Sequence, residues 1–183
     1  MNQENQRIKL TKRLVREALL KLLEKKPLRQ ISVRELCETA GINRSTFYRH
    51  YGAPENVLQE IQTDVIQHII DLADEHGSSV PMREYLERVC EFLWENRKVN
   101  RILLSSQTQS ASTELFHMTS NALWTVRMFR PEMEDMDPIT DQAAMLFVES
   151  GCYAVFRWWL QEEVAKTPKE IAGTLCRLIG IAE

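Results

Sequence analysis

The stretch that decides the fold is Ser32-Val33-Arg34-Glu35-Leu36-Cys37-Glu38-Thr39-Ala40-Gly41-Ile42-Asn43-Arg44-Ser45-Thr46-Phe47-Tyr48-Arg49-His50-Tyr51-Gly52. Val33, Leu36, Cys37 and Ala40 recur at i, i+3, i+4 and i+7, which is one apolar face of a helix. Ser32 with Glu35 three residues on has the form of a capping box, so a short helix is expected over 33–40. Ala40-Gly41-Ile42 makes a tight turn, in which Gly41 can take the positive φ that a sharp reversal needs. Asn43 caps a second helix expected over 43–51. Two short helices joined this way form a helix-turn-helix, here at about 32–51, whose second helix enters the DNA major groove.

At 100° per residue Phe47 and Tyr51 lie about 40° apart and form an inward anchor. The opposite arc carries Ser45 and Arg49, flanked by Thr46 and Tyr48: hydrogen-bonding and stacking groups suited to base edges and phosphates. Arg44 and His50 lie nearer the rim, where phosphate contact is expected, and the helix N-terminus adds its own N–H groups and dipole.

Outward from this motif the helical spacing continues. Val15, Ala18, Leu19 and Leu22 form a stripe before it, and Leu58, Ile61, Val65, Ile69 and Leu72 form another after it. Asp137-Pro138 and Thr167-Pro168 read as N-caps followed by Pro at the first helical position, and Glu170 completes a capping box with Thr167. Period-2 alternation is missing. The pattern predicts an all-α chain of about nine helices: 7–25, 33–40, 43–51, 54–76, 82–96, 98–105, 112–129, 138–164 and 168–180. The expected organisation is a three-helix DNA-binding domain over 1–53 and a helical ligand-binding and dimerisation domain over 54–183.

The net charge of −3 hides an asymmetry. Residues 1–51 hold 12 Lys+Arg against 5 Asp+Glu, whereas 52–183 hold 11 against 21. A basic head on an acidic body suits a polyanion partner at one end only. No apolar run approaches the 18 or so residues of a membrane span, and the polar N-terminus lacks a secretory core, so a cytoplasmic location is expected. Cys37, Cys90, Cys152 and Cys176 are scattered, which predicts buried free thiols and no metal site or other cofactor. Enzyme motifs such as HExxH, a Gly-rich phosphate loop or a nucleophile elbow do not occur.

The stretch 32–52, with the helix before it and the one entered at Ala53-Pro54-Glu55-Asn56-Val57-Leu58, resembles the signature of TetR-family transcriptional regulators. The resemblance is specific over 7–60 and architectural beyond. It implies a DNA-binding regulator, most often a repressor, with DNA contacts at Ser32, Arg34, Asn43, Arg44, Ser45, Thr46, Tyr48, Arg49 and His50. Two departures stand out. Lys25-Lys26-Pro27 replaces the family's usual Gly after the first helix, and Pro54 stands where a phosphate-binding Lys is common. Lys9, Lys12, Arg29 or Arg34 are the candidates to replace that contact. The alternative is a helical adaptor that acts through protein partners and has lost DNA binding.

Two adjacent stripes on 138–164 exceed what one face needs: Ala143, Phe147, Gly151, Ala154 and Trp158 beside Ala144, Val148, Cys152, Val155 and Trp159. A homodimer is therefore expected through the last two helices, at Phe147, Gly151, Ala154, Val155, Trp158, Ile171, Leu175 and Leu178, on a palindromic operator. The resemblance also implies a sensor body. Trp94, Leu103, Phe116, Met118, Trp124 and Met128 are its candidate lining for a small apolar effector, and the polar run 103–110 would suit a protein co-regulator instead.

Overall fold

The computed structural model describes residues 3–74, 81–105, 137–162 and 164–180. Within them lie eight α-helices and no strand: α1 (Gln3–Leu23), α2 (Val33–Ala40), α3 (Arg44–Tyr48), α4 (Pro54–Asp74), α5 (Met82–Glu95), α6 (Arg97–Leu103), α7 (Pro138–Gln161) and α8 (Pro168–Leu178). The helix expected over 112–129 lies outside the described residues. A 3₁₀ turn at Leu28–Gln30, which periodicity did not signal, follows Pro27 and leads into α2.

The helix starts follow local chemistry. Asp137 accepts hydrogen bonds from the Thr140 hydroxyl and from the N–H groups of Thr140 and Ile139, which holds its carboxyl below the usual carboxylate range. Thr167 and Glu170 form both halves of their capping box, and the Lys166 ammonium, with the Thr167 N–H and hydroxyl, brings the Glu170 carboxyl down to about 2. Ser32 makes only half of its expected box. Its hydroxyl accepts from the Glu35 N–H, but the Glu35 carboxylate pairs with Lys26 instead of reaching back. A nearby ammonium competes successfully with a neutral backbone donor.

Among the described residues two hydrophobic cores result. The first joins Val15 and Leu19 of α1, Leu36 of α2, Phe47, Tyr51 and the α4 residues Val57, Leu58 and Ile61, so the packing unit runs past residue 53. Leu103 of α6 belongs to this core, with Val99 and Ile102 packed against it. The second core is built by α5, α7 and α8 around Tyr85, Cys90, Phe156, Trp159 and Leu175. All four cysteines are buried and free. Burial pushes the Cys152 thiol up to about 12 and raises the other three as well, which suppresses the reactive thiolate. No described helix is long and apolar enough to cross a membrane.

Candidate nucleic-acid interface

Gly41 closes α2 at φ 67° and ψ 31°, in the left-handed region, and its N–H returns to carbonyls of the last turn. That single residue sends the chain back toward α3. The Asn43 side-chain oxygen accepts from the Thr46 N–H at 2.7 Å and from the Ser45 hydroxyl at 2.8 Å, so the N-terminal turn is fixed before any ligand arrives.

α3 is shorter than the expected 43–51. Five residues are α-helical, and the chain then tightens, with the His50 and Tyr51 N–H groups both donating to the Phe47 carbonyl. The inward anchor survives the shortening: Phe47 and Tyr51 are buried with ring centroids 5.7 Å apart. Tyr48 stands outside them, 59 % exposed, its ring edge-on to Phe47.

Of the residues expected to contact DNA, Ser32, Arg34, Asn43, Arg44, Ser45, Tyr48 and Arg49 are exposed, and Thr46 and His50 are half-buried. They differ in what else they hold. Arg34 is tied to Glu38 at 2.8 Å, which raises its pKa, and Ser32 and Asn43 are engaged as caps. Arg44 and Arg49 have no ion pair among the described residues, so their charge is not neutralised locally. The replacements for the missing α4 lysine also separate. Lys12 is committed to Glu60 at 2.7 Å and sits over the Tyr51 ring, and Arg34 is paired; Lys9 and Arg29 remain exposed without an ion pair among the described residues.

Sequence reasoning missed the cluster behind this surface. The Tyr51 hydroxyl donates to Glu60 at 3.0 Å, Lys12 and Arg16 reach Glu60 from α1, and Arg16 also holds Asp64 at 2.6 Å. Burial raises the Tyr51 pKa, and the bond to Glu60 raises it further. For Glu60 burial pushes upward, but the hydrogen bonds from Lys12 and Tyr51 with the nearby cations prevail and lower it. The signal was present in the matched spacing of Lys12/Arg16 and Glu60/Asp64, a basic and an acidic i, i+4 pair on two packed helices.

A capped, exposed, cationic second helix on a buried aromatic anchor is the geometry of a helix-turn-helix head. Over residues 15–61 the chain matches the family model described as bacterial regulatory proteins, tetR family, and over 82–180 the model of a TetR transcriptional regulator C-terminal region. The chain belongs to the TetR family. This is a family of transcriptional regulators rather than of enzymes. The chain is 21 % identical over 173 residues to the HTH-type transcriptional regulator YxbF of Bacillus subtilis (strain 168), covering 90 % of this chain but only 43 % of that relative's length. The structure is similar to that of a TetR transcriptional regulator from Streptococcus agalactiae 2603V, with TM-score 0.75, 22 % identity and coverage of 96 % and 97 % of the two chains. It also resembles NalD, the secondary repressor of the MexAB-OprM multidrug efflux pump in Pseudomonas aeruginosa, with TM-score 0.68, 16 % identity and coverage of 98 % and 96 %.

The residues outside the head sort differently from expectation. Ile171 and Leu175 are not surface residues: they are buried in the second core, because α8 lays its apolar face on α5. Val155 is half-buried against that core. Phe147, Gly151, Ala154, Trp158 and Leu178 are exposed. Of the proposed effector lining, Phe116, Met118, Trp124 and Met128 lie outside the described residues. Leu103 packs into the head's core. Trp94 stacks on Trp159 at 5.2 Å with Arg97 over its ring.

Proposed function

We propose that this chain is a sequence-specific DNA-binding transcriptional regulator, acting as a homodimer on a palindromic operator and repressing by occupying it. The observation that carries the DNA reading is the pair Arg44 and Arg49, exposed on the capped α3 segment with no ion pair among the described residues. Arg is the residue best suited to bidentate contact with guanine and to phosphate, and each unneutralised cation adds to counterion release. The head extends through the first turns of α4, as its core does.

Dimerisation is supported by α7. Its Ala144, Val148, Cys152, Val155 and Trp159 stripe is buried or half-buried, while the adjacent Ala143, Phe147, Gly151, Ala154 and Trp158 stripe is exposed throughout. Two heads related by a two-fold axis read half-sites about 34–36 Å apart. A small apolar effector or a protein co-regulator bound to the body alters DNA affinity only if it favours one head spacing over another.

Selection of DNA sites from a random pool with the purified protein tests the reading. Enrichment of a palindrome supports it, and release of a reporter gene when the chain is deleted identifies repression. Failure to enrich any sequence at low salt overturns it in favour of the adaptor.

A further inference from the structure

α7 is not merely apolar on its outer side; its large and small residues are arranged about a centre. Ala143 and Trp158, Phe147 and Ala154, and Ser150 and Gly151 are mirror pairs about the Ser150–Gly151 peptide. In the first two pairs a large side chain answers a small one. We propose that two copies of α7 cross antiparallel at Ser150–Gly151, with Phe147 seated on Ala154 of the partner subunit and Trp158 on Ala143 of the partner subunit. This inference rests on the dimer reading above and specifies its register.

Three independent observations carry it. Gly151 lies in the middle of a 24-residue helix, where glycine weakens the helix, yet a Cβ placed on it would meet nothing within 4 Å. Its small size serves no contact inside the chain, but at a crossing point it lets a second helix approach closely. Next, of the residues exposed on α7 from Gln142 to Trp158, none is charged, although the body is strongly acidic. An uncharged face lets two like-charged copies meet without repulsion. Finally, the exposed apolar area is of the order an interface needs. Ile139, Leu146, Phe147, Trp158 and Leu178 are 81 %, 43 %, 75 %, 51 % and 64 % exposed. At about 200 Å² per large side chain they offer roughly 600 Å² per protomer. With the small residues between them this approaches the ~800 Å² per partner of a standard interface.

A two-fold pairing predicts that exchanging knob and hole restores the fit. Sedimentation of the wild type is expected at twice the chain mass of 21.4 kDa. Ala154→Phe places two rings against each other and Phe147→Ala leaves a hole, so each weakens dimerisation about tenfold or more. The double variant Phe147→Ala/Ala154→Phe is expected to recover most of that loss. These positions are exposed in the single chain, and circular dichroism of each variant reports whether the helices are intact. As a second measurement, Ser150→Cys is expected to give a disulfide-linked dimer under mild oxidation, and Ile139→Cys, also exposed but far from the axis, is not. If Ala154→Phe dimerises like the wild type, if the double variant is no better than the worse single, or if Ile139→Cys cross-links and Ser150→Cys does not, the register is wrong while the dimer stands. A monomeric wild type overturns both.

Discussion

The two exposed faces of this molecule, α3 and α7, are built on opposite principles. α3 has five helical residues, one of them buried, and it is held in place by its cap, the Gly41 turn and the Phe47–Tyr51 anchor. Its outward groups are polar, cost little to leave in water and are free to bind and release a charged partner. α7 has 24 residues, a buried stripe that belongs to the chain's own core and an exposed one that is apolar. Such a stripe is unfavourable in water and calls for a permanent cover. On the proposed function, the contrast separates a reversible site from a constitutive interface by what their exposed residues lose when left alone.

The sharpest way to break the comparison is to unseat one face without touching the other. Phe47 is fully buried, and Phe47→Ala is expected to cost about 3–5 kcal/mol of stability. Urea unfolding should show a destabilised head and DNA binding should vanish, while sedimentation still reports a dimer. If dimerisation fails as well, the two faces are not separable.

Leu103→Ala tests whether chain order or packing defines the regions. Leu103 follows α5 in sequence but is buried in the head's core, so its truncation is expected to cost the head about 2–5 kcal/mol. Protection of α1 and α4 amides from hydrogen exchange should fall more than that of α8. The opposite order would assign α6 to the body.

Within the polar face, Arg49→Ala is expected to lose about 1–3 kcal/mol of base discrimination, whereas Arg29→Ala should weaken all sequences alike. If Arg29 holds one phosphate, its loss lowers the slope of log affinity against log salt by about 0.9. Titrations at several salt concentrations on operator and random duplexes separate the two. Equal effects on both duplexes from Arg49→Ala would remove its base-reading role.

The smallest effect concerns pH. The folded protein lowers the Glu60 pKa below its usual 4.5, so the ion-pair cluster contributes stability above that value. That contribution fades as pH falls through the lowered folded value, and at the acid end it is gone. Tyr51→Phe removes one of the bonds that depress Glu60, at a cost of roughly 0.5–1.5 kcal/mol near neutral pH, and should flatten the acid limb of the stability curve. Thermal melts between pH 6 and about 3 check this. A variant whose acid limb is as steep as the wild type's would show that Glu60 is held by Lys12 and Arg16 alone.

Much of the candidate site was legible beforehand, because short-range chemistry decides it. The Gly41 reversal, the Asn43 cap and the Phe47/Tyr51 anchor all depend on residues within four positions of one another. The Glu35 half of the Ser32 box was not legible, since Lys26 competes for that carboxylate from across a turn. The length of α3 was also misjudged. Periodicity continues to Tyr51, but the hydrogen bonds do not continue in the α pattern.

What the amino-acid sequence determined alone is therefore the all-α class, the caps and turn of the head, the asymmetry of charge and the presence of two apolar stripes on one long helix. Local backbone preference, side-chain reach and composition settle these without reference to distant parts of the chain. Tertiary structure alone decided which stripe α7 buries, that Ile171 and Leu175 face α5, that Leu103 joins the head, and that Lys12 pairs with Glu60. Each of these is a choice between faces or partners of similar chemistry. Only the simultaneous packing of several helices makes one alternative cheaper than the other, because a buried surface can be covered once and a charge satisfied by one neighbour is withdrawn from the rest.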